Sequence, residues 1–357
     1  MAHIWDQLAL QIKDWGRELG FDQIGIANID LDHTKEPYLE WIKQGFHGEM
    51  HYMVKHGSRR YKPEDLVPHT IRVISARLNY MPHAKDASVI LQDNQKAFIS
   101  RYALGRDYHK VIRSKLKKLS DKIEKEVHQT LDQKVEFRVF TDSAPVMEVE
   151  LAAKSGIGWR GKHTLLINKE QGSWFFLGEI YINLPLPIDK KVENHCGTCT
   201  SCMDVCPTQA IIGPYQLDAR KCISYLTIEH ASSIPEVYRK QIGNRVYGCD
   251  DCQLYCPWNK FGQTTKEDAF KVRHGLDDIE LITCFSWSKQ EFEERMQGSA
   301  ILRIGYERWL RNIAIGLGNA KTSDAIVSIL KKRLVDASPL LQEHITWALE
   351  QHKIHMH

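Results

Sequence analysis

The segment Cys196-Gly-Thr-Cys199-Thr-Ser-Cys202-Met-Asp-Val-Cys206-Pro207 spaces its thiols as C-x2-C-x2-C-x3-C-P, and this limits the fold more than anything else in the chain. Three thiolates at every third residue can wrap one cubane corner by corner, while the fourth, turned away before proline, reaches a second centre. Such a segment needs a second half. Cys249-Asp-Asp-Cys252-Gln-Leu-Tyr-Cys256-Pro257 repeats the end of the motif, and Cys222 stands alone 27 positions before Cys249. The exchange rule assigns Cys196, Cys199, Cys202 and Cys256 to one four-iron, four-sulfur cluster, and Cys206, Cys222, Cys249 and Cys252 to the other. Zinc also accepts C-x2-C pairs, but it needs neither the third evenly spaced cysteine nor two Cys-Pro endings.

The segment is therefore ferredoxin-like, and its chemistry is the movement of single electrons. Eight of the nine cysteines are used in this way, and Cys284 reads as a buried small hydrophobe. The start, Met1 to Lys13, has no basic region leading into an apolar one, so no export signal is expected and the cysteines belong in a reducing cytoplasm. Trp174 to Leu186 is the most apolar stretch, but Glu179 interrupts it and it is too short to span a bilayer. A formal net charge of +3 permits a nucleic-acid partner without arguing for one.

At 357 residues the chain exceeds what one hydrophobic core usually serves. Leu8, Ile12, Trp15 and Leu19 mark one helix face that ends at Gly20, and Ile112, Leu116, Leu119, Ile123 and Val127 mark another. The runs Phe21 to Ile26, Val73 to Tyr80 and Val135 to Val139 read as strands, so helix and strand alternate and the first half is α/β. Pro185, Pro187 and the charged run Asp189 to Glu193 place a boundary near residue 190. After Cys256-Pro257 the apolar positions keep helical spacing from Ile304 to Leu349. The expected architecture is a multidomain α+β and α/β chain with units at 1–190, 191–262 and 263–357.

Gly156-Ile-Gly158-Trp-Arg-Gly161-Lys162-His163 superficially matches two nucleotide-binding motifs. Both require a preceding strand, whereas this loop follows a helix-like run, Val146 to Lys154, and His163 replaces the magnesium-binding hydroxyl. Asp142 lies in Phe140-Thr-Asp-Ser-Ala-Pro145, where a strand ends and a helix with Pro145 in its first turn is expected, so its plain reading is a helix N-cap. Arg101-Tyr-Ala-Leu-Gly-Arg-Asp-Tyr-His109 is rich in hydrogen-bonding side chains and reads as a solvated loop ahead of a basic helix. That helix, from Lys110 to Lys125, and the groups Arg303, Arg308, Arg311 and Lys331 to Arg333 are candidates for contact with nucleic acid.

Taken together, His47-Gly-Glu-Met50, Arg101 to His109, Asp142-Ser-Ala-Pro145, Gly158 to His163, both cysteine motifs, Cys222 to Glu229, Tyr247 to Cys252 and Arg308-Trp-Leu-Arg-Asn-Ile-Ala314 resemble epoxyqueuosine reductases along nearly the whole chain. The resemblance implies a cobalamin-binding first domain, a two-cluster ferredoxin-like middle domain and C-terminal HEAT-like repeats. It implies reduction of epoxyqueuosine at the wobble base of tRNA, the last step of queuosine formation, by a cytoplasmic monomer fed by a low-potential electron donor. Asp142 matches the family's proposed general acid, which displaces the N-cap reading. Arg60, Tyr102, Asp142, Lys162, His163, Ser224 and Thr227 become candidates for the cobalamin pocket. No D-x-H-x-x-G motif is present, so cobalt is expected to lack a protein histidine ligand. The chain stops at His357 soon after its last expected helix, so further helices of longer relatives are expected to be absent. The rivals are a cobalamin-dependent reductive dehalogenase, whose usual export signal is missing, and an iron–sulfur electron-transfer module joined to an RNA-binding scaffold.

Overall fold

The computed structural model describes residues 2–354. The first apolar stripe forms the helix Ala2–Glu18, which buries Leu8, Ala9 and Ile12. The alternating runs form a four-stranded sheet in the order Gln23–Asn28, Arg72–Asn79, Phe175–Ile182, Phe137–Phe140. Phe175–Ile182 is the centre of the apolar stretch noted in the sequence. It is the last of the four along the chain yet takes an interior place, and only its Leu177 is even half-buried rather than buried. A strand covered on both faces reads as a continuous apolar run, which is why its sequence does not alternate.

All three pairings in this sheet are antiparallel. Helix and strand do alternate, but the inserted strand runs against both of its neighbours. The α/β reading of the first half is therefore corrected to a mixed fold of the α+β kind. The long helix Tyr108–Leu131 lies on one face and buries Ile112, Leu116, Leu119, Ile123 and Val127 with Ile12, Ile74 and Ile180. Its start is capped by Asp107, which accepts from the His109 backbone N–H, and Asp132 ends it in the left-handed conformation. The opposite face carries the helix Glu148–Lys154, where Leu151 packs in a core with Val73 and Tyr181.

In the cysteine-rich segment two short helices, Ser201–Asp204 and Asp251–Leu254, pack together. The strand Arg245–Tyr247 pairs in parallel with Phe98–Ile99, which ties this segment to the first half. The C-terminal helices are Gly305–Asn319, Asp324–Leu334 and Pro339–Ile354. One apolar core runs from Ala97 and Leu104 through Ile223 and Tyr247 to Trp309 and Ile345, so packing is continuous across residues 190 and 262. Among the described residues, no helix is long and apolar enough to cross a membrane.

Candidate active site and cluster-binding cysteines

The eight motif cysteines are brought together around two neighbouring spaces. Burial and the neighbouring thiols of Cys196, Cys256 and Cys199 push Cys202 up to about 11. Burial, with Cys222 and Cys206 nearby, also raises Cys252, and Cys249 is raised by burial with Asp251 and Cys222 close to it. Crowded, buried thiols resist ionising until a cation compensates them, which is the condition a bound cluster meets. Among the described residues, no three of His, Cys, Asp or Glu are spaced for a single metal ion. A cubane places its irons between the thiols, whereas one zinc draws four sulfurs to about 2.3 Å from a common point. Cys284 is fully buried in the apolar core, as expected of a small hydrophobe.

The two sets face different spaces. Cys196, Cys199, Cys202 and Cys256 line a vestibule of about 360 Å³. Cys206, Cys222, Cys249 and Cys252 line a larger cavity of about 500 Å³. Asp142 lines that same cavity, with Tyr102, Tyr108 and Phe176 among its aromatic walls. An electron centre held by the second set thus shares a space with a carboxylate.

Asp142 sits after the strand Phe137–Phe140 with a φ of 53°, a conformation asparagine and aspartate tolerate better than most residues. The helix beyond it starts only at Glu148, with Met147 at its cap, so both the N-cap reading and a Pro145 first turn are corrected. Freed from capping, the carboxylate takes other partners. Tyr108 donates its hydroxyl to Asp142 Oδ2, and His109 Nε2 lies 3.3 Å from the same oxygen. His109 Nδ1 lies 2.7 Å from Asp107 Oδ1. The side chain of Asp142 is 58% exposed, but its surface faces the cavity. Burial there favours the neutral acid. Hydrogen bonds from His109 and Tyr108, with the charges of His109 and Arg303, outweigh it and hold the group below its ordinary value. Burial disfavours the His109 cation, yet hydrogen bonds to Asp107 and Asp142 raise it to about 9. Both ring nitrogens then carry hydrogen and donate to the two carboxylates. Glu148 Oε1 accepts from the Asp142 backbone N–H at 2.6 Å, and burial with Asp142 beside it pushes Glu148 up to about 7.

Residues 60–143 match the family described as Epoxyqueuosine reductase QueG, DUF1730, and residues 195–259 match a 4Fe-4S double cluster binding domain. An epoxyqueuosine reductase of Pseudomonas aeruginosa is 51% identical over 97% of this chain and 95% of its own length. One from Xanthomonas campestris is 52% identical over 96% of both chains. The chain belongs to the epoxyqueuosine reductase family. Solved structures of the family agree with the fold. A structure of an epoxyqueuosine reductase with a tRNA-Tyr epoxyqueuosine-modified stem loop has a TM-score of 0.86 at 27% identity, covering 97% of this chain and 90% of that one. The Streptococcus thermophilus enzyme has a TM-score of 0.85 at 28% identity over 96% and 90%. The cysteines of this family member accordingly form a double 4Fe-4S cluster domain.

Of the expected cobalamin residues, Tyr102, Asp142, His163 and Ser224 line the cavity. Arg60, Lys162 and Thr227 are not brought to its wall. Arg60 is buried and donates to the carbonyls of Met53 and Tyr52, so it shapes the segment carrying Tyr52. Lys162 donates to the carbonyls of Gly197 and Cys199, each at 2.7 Å, and braces the first cysteine loop. Thr227 is fully buried, donates to the Ile223 carbonyl and accepts from the Gly248 backbone N–H. The glycine turn is a hairpin between Trp159–Arg160 and Leu166–Ile167, and a Cβ at Gly158 would fall 2.2 Å from the Ile167 carbonyl oxygen. Its glycines serve close packing.

Sequence reasoning passed over Tyr108 and His109 as part of a solvated loop. Both open the long helix and turn to Asp142. Arg303, a nucleic-acid candidate, lines the cavity and pairs with Glu229 at 2.7 Å. Arg311 is fully buried, donating to the carbonyls of Leu226, His230 and Ser232, and Arg308 donates to the Ile304 and Ile228 carbonyls. These two are corrected from surface cations to structural ones. Part of the basic helix face is also engaged, Lys115 with Glu267, Lys117 with Asp121 and Lys122 with Glu18.

Proposed function

We propose that this protein reduces epoxyqueuosine at the wobble position of tRNA to queuosine, as a cytoplasmic monomer with two 4Fe-4S clusters and cobalamin. The observation that carries the reading is the single cavity shared by the second cysteine set and Asp142 with its His109 and Tyr108 partners. In the overall change two electrons and two protons enter, both bonds to the epoxide oxygen break, a carbon–carbon double bond forms and water leaves. The pair of His109 and Asp142 holds one proton at neutral pH, resting mainly on His109. As alkoxide develops beside Asp142, that proton moves from His109 Nε2 to the carboxylate and on to oxygen, which is the general-acid contribution. Tyr108 fixes the carboxylate orientation.

The cavity suits cobalamin by the chemistry of its wall. His163 Nδ1 accepts from the Leu165 backbone N–H at 3.1 Å, so hydrogen sits on Nε2, and among the described residues that buried donor has no partner. A donor left in this way fits the amide or phosphate oxygens of a large ligand. With hydrogen on Nε2, His163 would serve such a ligand as a donor. Bound there, cobalamin would supply a strongly reducing cobalt centre. Tyr102 and Ser224 would hold it, and the aromatic wall would keep water away. The three C-terminal helices, read as HEAT-like repeats, would carry tRNA, with exposed Lys331 and Lys332 available to its phosphates.

The test is anaerobic incubation with cobalamin, a low-potential reductant and an epoxyqueuosine-bearing stem loop, followed by nucleoside mass analysis. Queuosine should form, and its absence with both clusters intact would overturn the reading.

A further inference from the structure

The first cysteine set differs from the second in one respect: it includes a thiol at the surface. Cys199 is the one exposed thiol of the eight, whereas Cys206, Cys222, Cys249 and Cys252 are each half-buried. The vestibule around it is lined by Lys162, Lys260 and His195 among its polar groups, and no aspartate or glutamate lines it. Asp204, in the same loop, is engaged by the Thr200 hydroxyl at 2.7 Å and lies outside that lining. Trp258 and Phe261 make the rest of the rim apolar. Phe261 is 46% exposed, with the Lys260 ammonium 4.9 Å from its ring centre.

We propose that this vestibule is the electron entry port, and that it docks a small acidic protein carrying an iron–sulfur centre at its own surface. The proposal rests on reading the cysteines as cluster ligands. One electron leaves the reduced carrier and one enters the first cluster, with no bond or proton changing place. Lys260 at the rim, with Lys162 beside it, steers an acidic partner and makes its encounter rate fall with salt. The exposed Phe261, beside the half-buried Trp258, gives short-range packing of the limited area typical of transient electron-transfer encounters. The second cysteine set lines the Asp142 cavity instead, so entry and use of the electron fall in different spaces.

The experiment mixes holoprotein, checked to hold about eight irons per chain, with a reduced acidic plant-type ferredoxin and follows cluster bleaching by stopped flow. The rate should fall about tenfold or more from low to physiological salt. Lys260→Glu should slow it about tenfold at low salt and weaken ferredoxin binding in calorimetry. Lys260→Arg should restore both. Lys125→Glu, on the exposed face of the long helix, should change neither. Reduction by a viologen radical, which needs no docking, should be the same in every variant. Equal effects of Lys260→Glu and Lys125→Glu, or no effect of either, with viologen reduction intact, would overturn the port. Iron well below eight in wild type would instead overturn the cluster reading, and the port with it.

Discussion

Asp142 would be a poor acid by itself, because its neighbours hold it ionised. Its use depends on His109, which donates to Asp107 and Asp142 from opposite ring nitrogens. Asp142→Asn should therefore retain iron and fold but lose about 10²-fold or more of queuosine formation, read by nucleoside mass analysis. His109 also gives a stability signature. Its value is raised from 6.5 to about 9, so the stability from its charged form is complete below pH 6.5 and disappears as pH rises through 9. The melting temperature should fall by a few degrees over that window. In His109→Asn that slope should vanish, while the slope from Glu148, raised from 4.5 to about 7, should persist at lower pH.

Among the elements, the helix Gly305–Asn319 shows how a motif can mislead about role. Arg311 looks like a phosphate contact in sequence, yet within that helix it is inward-facing and satisfies carbonyls at the end of the helix Ile223–Ile228 and just beyond it. Burial lowers it to about 9, with Arg308 beside it. Arg311→Met should strand those carbonyls and cost about 3 kcal/mol or more in urea unfolding. Lys332→Met, at an exposed position of the next helix, should stay within about 0.5 kcal/mol. The helical spacing of both elements was readable from the apolar positions. Which cations face inward was not, because an amphipathic pattern does not tell a buried arginine with carbonyl partners from a solvated one.

In the whole molecule, the two cysteine sets line two different spaces, a vestibule that includes the exposed Cys199 and the larger cavity that includes Asp142. This makes the sets unequal although their motifs are similar. Cys199→Ser should reduce iron from about eight to about four per chain while sparing the second set, and should slow turnover even where cobalamin binding is kept. Iron analysis and electron paramagnetic resonance of the reduced protein would check it. Continuous packing from Ala97 to Ile345 also means that the cluster segment and the C-terminal helices share one core. Denaturant should then unfold the two together.

The sequence by itself pointed to a two-cluster cysteine segment, because the C-x2-C-x2-C-x3-C-P spacing and its partial repeat are local features. It also determined the main helices and three of the four strands, whose apolar periods are local too. Tertiary structure alone decided the antiparallel sheet, since an inserted strand pairs with partners far away in the chain. It alone brought Tyr108, His109 and Glu148 to Asp142, and it alone separated Tyr102, His163 and Ser224, on the cavity wall, from Arg60, Lys162 and Thr227, which support other loops. Spacing along the chain records what one element can do; which side chains share a space depends on how distant elements pack.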